Sequence, residues 1–430
     1  MPENGGDPLD SPEHETAREE TPIVTSPSAD PAWARTFRLT SVPEDFVDDP
    51  YLYYRALREY DPVHELGHGS FLLTRYEDVA AVYRDPRASS DKKQEFKPKY
   101  GDTPLYEHHT TSLVFNDPPL HTRVRRLLMG AVNQRAIARM EPDVLALVDR
   151  LLDRMAGKRE LDLIAEFAAE IPVEVIGNLL DVPRDEREPL RGWSLAILSA
   201  LEPAPGAALL ERGNRAVREF LDYLETLVTR RRQAPGDPGA DVLTRLIQGE
   251  ADGERLTESE LLHNCIFLLN AGHETTTNLI GNGVDALLRH RGELERLVLE
   301  PALISTAVEE LLRFESPLQL NNRVTTADMT IGGRTFPAGT FLTLGVGAAN
   351  RDPAQFPDPD RLDVGRKPNR HVAFGHGDHA CAGMNVARLE ARIAIGRLLA
   401  RFPGIAPAGP PERDRRVRFR GFRRLPVRVD

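Results

Sequence analysis

The chemistry of this chain concentrates in one run, Phe374-Gly375-His376-Gly377-Asp378-His379-Ala380-Cys381-Ala382-Gly383. The run holds one of only 2 cysteines in 430 residues, and a helix-forming segment, 384–402, follows at once. A thiol at a helix N-terminus meets the positive end of the dipole and unpartnered backbone N–H groups, and both favour the thiolate. The glycines let the backbone lie close to something large and flat. A thiolate offered from a bare loop to a flat cofactor points to haem iron. Zinc is the competing reading, because His376, Asp378, His379 and Cys381 are all ligand types. Against it, three of these four fall within four residues, with no second cluster at finger-like spacing.

A second chemical centre interrupts the longest helical pattern, 256–290. Thr257 and Glu260 have the spacing of a capping box at its start. Ile266-Phe267-Leu268-Leu269 is as apolar as a core, yet Asn270-Ala271-Gly272-His273-Glu274-Thr275-Thr276-Thr277 follows directly. A carboxylate and three threonines inside a buried helix are costly unless paired or used. Gly272 lowers helix propensity by about 1 kcal/mol relative to alanine. Two readings are open. Either the helix breaks and Thr275 or Thr276 caps a second one, or a loosened backbone over a cofactor lets Glu274 and Thr275 relay protons. Cys265, on the same segment, reads as an inert buried thiol.

The elements that must position these groups are mostly helical. Helices are predicted near 51–60, 76–83, 118–130, 136–156, 162–181, 186–201, 206–233, 256–290, 301–315 and 384–402. Strand-like pieces lie near 62–74, 321–345 and 417–429, with Gly332-Gly333 and Pro337-Ala338-Gly339 as turns. The stretch 350–370, with Pro353, Pro357, Pro359 and Pro368, reads as loop. The expected architecture is mainly α with a small β region, as a single large domain over 32–430. Residues 1–31 are rich in Pro, Ser, Thr, Glu and Asp, with Arg18 their only base, and read as a disordered acidic tail.

Composition narrows the function. A 40% hydrophobic content supports a substantial core, and a net charge of −11 argues against a nucleic-acid binder. Two distant cysteines give no disulfide framework, so a reducing, cytoplasmic setting is expected. No apolar run reaches the ~18–20 residues of a membrane helix, and the N-terminus lacks the basic and apolar regions of a signal peptide.

The loop and the polar helix together resemble a bacterial cytochrome P-450, a haem-thiolate monooxygenase, from about residue 40 to the C-terminus. Phe374–Gly383 matches the haem-binding signature F-G-x-G-x-H-x-C-x-G at every specified position. Ala271-Gly272-His273-Glu274-Thr275 matches the oxygen-activation motif, and Glu310-Leu311-Leu312-Arg313 matches E-x-x-R. Asp117-Pro118-Pro119 with His121 and Arg125 matches the helix that crosses above a haem propionate. Four short motifs in the family's order are far more specific than any one of them.

The resemblance implies haem b, iron protoporphyrin IX, with the Cys381 thiolate as fifth iron ligand, shielded by Phe374. It places Gly375, Gly377 and Gly383 against the porphyrin and the following helix, and Ala271 and Gly272 over the haem. His121 and Arg125, spaced i and i+4, lie on one helix face and would meet a propionate. Arg323 and His379 resemble further propionate contacts, with His371 as another candidate, whereas Arg123 and Arg126 read as a solvated face. Glu310 and Arg313 would support the scaffold, with Arg361 as the third arginine of their network.

The implied reaction inserts one atom of O2 into an organic substrate and releases the other as water, with Glu274 and Thr275 as the catalytic acid–alcohol pair. The chain offers no flavin domain and no iron–sulfur cysteine set, so electrons are expected from separate partners, which the resemblance implies are a ferredoxin and an NAD(P)H-dependent ferredoxin reductase. Arg388 and Arg392 could face that ferredoxin. The substrate pocket would draw on 88–115, 185–212, the stretch after Arg313, and 418–424. Lys92, Lys93, Lys97, Lys99, His108 and His109 read either as a basic lid or as a solvated loop. Leu318-Gln319-Leu320-Asn321-Asn322 suits a small, mainly apolar substrate with a polar handle. The alternatives are a same-family enzyme driven by peroxide or performing oxidative coupling or desaturation, and a non-catalytic haem sensor.

Overall fold

The long predicted helix is a single element, Glu258–Arg289, and the rest of the chain is arranged around it. Its start is fixed by the capping box: the Glu260 N–H donates to Thr257 Oγ1 at 3.2 Å, and the Thr257 N–H donates to Glu260 Oε2 at 2.9 Å. No break occurs at the threonines. Two of the three hydroxyls turn back onto their own helix, Thr275 Oγ1 to the Ala271 carbonyl at 2.9 Å and Thr277 Oγ1 to that of His273 at 3.0 Å. Local satisfaction of this kind removes the penalty that suggested a second helix. At Gly272 the helix runs close to Ile176: a Cβ there would come within 2.5 Å of Ile176 Cδ1, so that side chain would have to shift.

The computed structural model describes residues 31–131, 134–238, 241–249 and 255–429. Almost all of the expected acidic tail, 1–30, lies outside them. Helices Glu170–Leu179, Glu188–Ser199, Ile304–Phe314 and Met384–Arg401 pack against the long helix, and their apolar faces form one continuous core. Among the described residues no helix is long and apolar enough to cross a membrane.

The β region lies to one side. Its sheet runs Val63–Gly67, Ser70–Leu73, Phe341–Gly345, Leu320–Thr325, Ala88–Ser89. Ser70–Leu73 runs parallel to Phe341–Gly345, and the other pairs are antiparallel. Gly332 and Gly333 make the two-residue turn between Met329–Ile331 and Arg334–Phe336, with φ of 57° and 78°. Near the C-terminus Pro426–Arg428 sits between Glu160–Asp162 and Ala406–Pro407. The fold is thus mainly α with small sheets. Two helices stand where a loop was expected, Lys93–Tyr100 and Pro104–Thr111. Phe96 and Tyr100, one turn apart, supply the buried face that stabilises the first.

Candidate active site

The cysteine loop is held from three directions. Within it, the Cys381 N–H donates to the Phe374 carbonyl at 2.9 Å and the Ala380 N–H to that of Gly377 at 3.0 Å. From the Leu120–Ala131 helix, Arg125 Nη2 donates to the Ala380 carbonyl at 2.8 Å. From behind, Asn350 Oδ1 accepts from the Val372 N–H at 2.8 Å. Gly375 and Gly377 have φ of 65° and 68°, where a side chain strains the backbone, and a Cβ on Gly377 would lie 2.8 Å from the Tyr83 carbonyl. Gly383, with φ of −89° and open space beyond its Cα, caps Met384–Arg401 instead.

Burial pushes the Cys381 thiol above its ordinary value, while the Gly383 N–H, Arg125 and Arg388 pull it down. The expectation that the helix terminus alone would favour the thiolate is therefore corrected: desolvation outweighs it. His376, Asp378, His379 and Cys381 do not converge, since among the described residues no three metal-ligating side chains form a site. The zinc reading falls with that geometry. Cys265 is fully buried, its thiol pushed up to about 12 by burial, in keeping with an inert role.

Two imidazoles and two guanidiniums, His121, His379, Arg125 and Arg323, gather beside the loop. His379 lies 3.6 Å from Asp117, and its ring stacks 4.0 Å from that of His121. Burial works against the charged form of Asp117, but hydrogen bonds from His379, Ser89 and the Ser90 N–H hold its carboxyl well below the usual range. Burial, with His379 and Arg125 nearby, lowers His121 to about 4, and its Nδ1 has no partner. Arg323 is buried and, among the described residues, donates only to the Asn322 carbonyl at 2.8 Å and Asn321 Oδ1 at 3.4 Å, over the Tyr83 ring. Burial lowers its basicity, and Tyr83 and Asp117 offset only part of that. Among the described residues neither Arg125 nor Arg323 has a carboxylate within ion-pair distance. Two guanidiniums without matching carboxylates, next to a glycine-bounded thiol, suit a cofactor that brings its own anions and a soft-ligand metal.

The long helix carries one accessible stripe. Between Leu261 and Leu287 every side chain is buried except Phe267, Leu268, Ala271, Gly272 and Thr275, which share one face. Glu274 is buried beside that stripe and makes an ion pair with Arg416, which also reaches Asp414 at 2.7 Å.

Several expectations are redirected. The third arginine of the Glu310–Arg313 network is Arg366, whose Nε donates to Glu310 Oε1 at 3.0 Å; Arg361 contributes only its carbonyl, to Arg313 Nη2 at 3.3 Å. Arg313 is fully buried and bidentate to Glu310 at 2.8 Å on both arms. His371 is engaged by Glu309 at 3.2 Å, and Arg388 grips the same carboxylate at 2.7 and 2.8 Å while lying 4.8 Å over Phe374. Arg392 pairs with Glu141 at 3.0 Å. Arg123 is no solvated residue, since it pairs with Glu260. The basic segment is helical rather than an open loop: Lys93 and Lys97 are exposed, but Lys92, His108 and His109 are buried, Lys92 pairs with Glu95 at 2.9 Å, and the two imidazoles pack among Phe96, Tyr100 and His263. The amides of Gln319, Asn321 and Asn322 hold Ser316, Tyr83 and Thr343. Sequence reasoning missed Arg416 and Arg366, because each stands in an arginine-rich stretch whose spacing does not reveal which side chain turns inward.

Comparisons with known proteins identify the family. The Cytochrome P-450 family model matches residues 195–417. Cytochrome P-450 107B1 of Saccharopolyspora erythraea is 39% identical over 91% of this chain and 97% of its own length. The vitamin D(3) 25-hydroxylase of Pseudonocardia autotrophica is 42% identical over 89% and 94%. The crystal structure of P-450 BioI with hexadec-9Z-enoic acid-ligated acyl carrier protein superposes with a TM-score of 0.85, at 36% identity, over 90% of this chain and all of that one. This chain therefore belongs to the cytochrome P-450 family and is a haem-iron monooxygenase.

Proposed function

We propose that the chain binds haem b through Cys381 and hydroxylates or epoxidises a small, mainly apolar organic substrate presented along the accessible stripe of the long helix. That stripe is the observation that carries the reading: four apolar or small residues line it, and Thr275 is its one hydroxyl. Phe374 and the Gly383 N–H would flank the sulfur, and Gly375 and Gly377 would shape the loop beneath the porphyrin. Arg125, Arg323, His121 and His379 would hold the propionates, and Ala271 and Gly272 would cover the ring. Bound haem supplies the activation of dioxygen. The chain supplies the protons: Glu274 passes one to the Thr275 hydroxyl, which hands its own toward the oxygen atom that leaves as water. The apolar lining keeps bulk water from delivering protons elsewhere.

Electrons would come from a ferredoxin and an NAD(P)H-dependent ferredoxin reductase. Two free cysteines suit the reducing cytoplasm in which such partners work. The vitamin D(3) 25-hydroxylase and the 6-deoxyerythronolide B hydroxylase among the relatives support a largely apolar substrate. The test is the reduced, CO-bound absorption spectrum of the purified chain and of Cys381→Ser. A thiolate-type band in the first and its loss in the second are expected. The same band in both would sink the assignment of Cys381.

A further inference from the structure

Glu274 has one counter-charge, Arg416, and apart from it neither carboxylate oxygen has a hydrogen-bond donor among the described residues. The Arg416 side chain is only 8% exposed, and its Nε and Nη1 are buried with no acceptor among the described residues. Both of its ion pairs run through Nη2, to Glu274 and to Asp414 at 2.7 Å. Two carboxylates thus compete for one nitrogen. The Asp414 side chain is 29% exposed, whereas that of Glu274 is 2% exposed. The segment bearing both partners is fixed in turn: Glu202 Oε2 accepts from the N–H groups of Val417 and Arg418 at 2.8 and 3.1 Å. Glu202 follows the Glu188–Ser199 helix that packs on the long helix.

We propose that Arg416 is a positioning residue that exchanges carboxylates, holding Glu274 away from Thr275 in one state and leaning on Asp414 when Glu274 turns to deliver its proton. The inference deepens the proton role of Glu274 proposed above and rests on it. The physical reason is the cost of stranding a buried charge. Without Asp414, releasing Glu274 would leave the Arg416 guanidinium unpaired in the interior. With Asp414 already on the same nitrogen, the guanidinium stays neutralised throughout. Glu274, once free of its cation in a dry setting, takes up a proton and becomes an acid able to donate. One turn to either side of Glu274 on its own helix stand Asn270, whose amide atoms are both unpartnered among the described residues, and Asn278, and Glu202 is a like charge near Arg416. His273 is held neutral by burial, lowered to about 3, so it offers no rival cation.

The experiment compares the haem-loaded wild-type chain with Arg416→Gln, Arg416→Lys, Asp414→Asn and Glu274→Gln. Difference infrared titration follows the Glu274 carboxyl, assigned by its absence in Glu274→Gln. Coupling of NADPH to product and the solvent isotope effect are followed against pH. Arg416→Gln should move the Glu274 titration up by about one pH unit or more, with the pH profile of coupling shifted the same way. Asp414→Asn should trap Glu274 on Arg416, lowering its titration and cutting coupling about tenfold. Arg416→Lys should restore the wild-type profile in part. Should Arg416→Gln fail to retain haem, Asp414→Asn and Arg416→Lys keep the cation and decide the question. Wild-type titration and coupling in these variants, while Glu274→Gln uncouples, would overturn the exchange alone. An unchanged isotope effect in Glu274→Gln would instead overturn the proton role of Glu274.

Discussion

Replacing Glu390 with glutamine should make the chain's stability less dependent on pH, and the size of the effect follows from burial. Glu390 lies on the helix that follows the cysteine loop, is almost fully buried, and leaves Oε1 without a partner. Burial raises its carboxyl from 4.5 to about 8, against a smaller opposing hydrogen bond from Thr276 on the long helix. The folded chain therefore keeps a proton that the unfolded chain has released between pH 4.5 and about 8. By linkage, the stability Glu390 contributes is complete below pH 4.5, falls as pH rises through that window, and is level above it. The full window corresponds to ~5 kcal/mol at 1.36 kcal/mol per pH unit, an upper bound. Water reaching the ionised group trims it to ~2–5 kcal/mol. A glutamine amide brings its own unpaired N–H groups, at ~1–3 kcal/mol, but that cost does not vary with pH. The assay is urea unfolding followed by far-ultraviolet circular dichroism at equal haem loading, from pH 5 to 8.5. The wild-type chain should lose ground to Glu390→Gln steadily across the range. A difference between the two that stays flat would refute the claim that Glu390 is held protonated.

Arg366→Leu should cost ~3 kcal/mol of stability by urea titration because it strips a cation from fully buried Glu310. Arg361→Leu, whose side chain has no part in the network, should stay within ~0.5 kcal/mol. Gly377→Ala should lower stability by ~2–3 kcal/mol through its left-handed backbone and the nearby Tyr83 carbonyl, a shift visible as a lower Tm in calorimetry. Gly383→Ala has neither obstacle and should leave the Tm within a degree or two. Thr275→Ala should lower product formed per NADPH about tenfold or more while electron consumption continues; wild-type coupling would remove Thr275 from the proton path.

The parts legible in the sequence are those whose chemistry is local. The cysteine loop, the capping box and the Glu310–Arg313 pair each occupy ten residues or fewer, so residue type and spacing contain most of the information. The continuity of the long helix was open because the cost of Thr275 and Thr277 depends on where their hydroxyls point. Both donate to carbonyls four residues back, which no composition rule decides. The partners of Glu274 and Glu310 were illegible for another reason. Arg416 and Arg366 arrive from far along the chain, and neighbours such as Arg415 and Arg361 are chemically identical to them. The burial of His108 and His109 had a weak signal in the i, i+4 pair Phe96 and Tyr100, masked by the exposed parts of Lys93 and Lys97.

The pairing of Ser70–Leu73 with Phe341–Gly345 also sets a timetable. The two strands are about 270 residues apart, so the earlier one leaves the ribosome long before its partner exists. At ~5–20 residues per second that interval is roughly 15–55 s. Throughout it the hairpin Val63–Leu73 presents one unpaired edge, and Tyr83 lacks its later neighbours, the cysteine loop and Arg323. Parallel pairing at such separation is slow to form and exposed to wrong partners while it waits. The sheet can close only once Phe341–Gly345 has emerged, and the cysteine loop and the core helix Met384–Arg401 follow later still, so the pocket for the cofactor closes only near the end of synthesis.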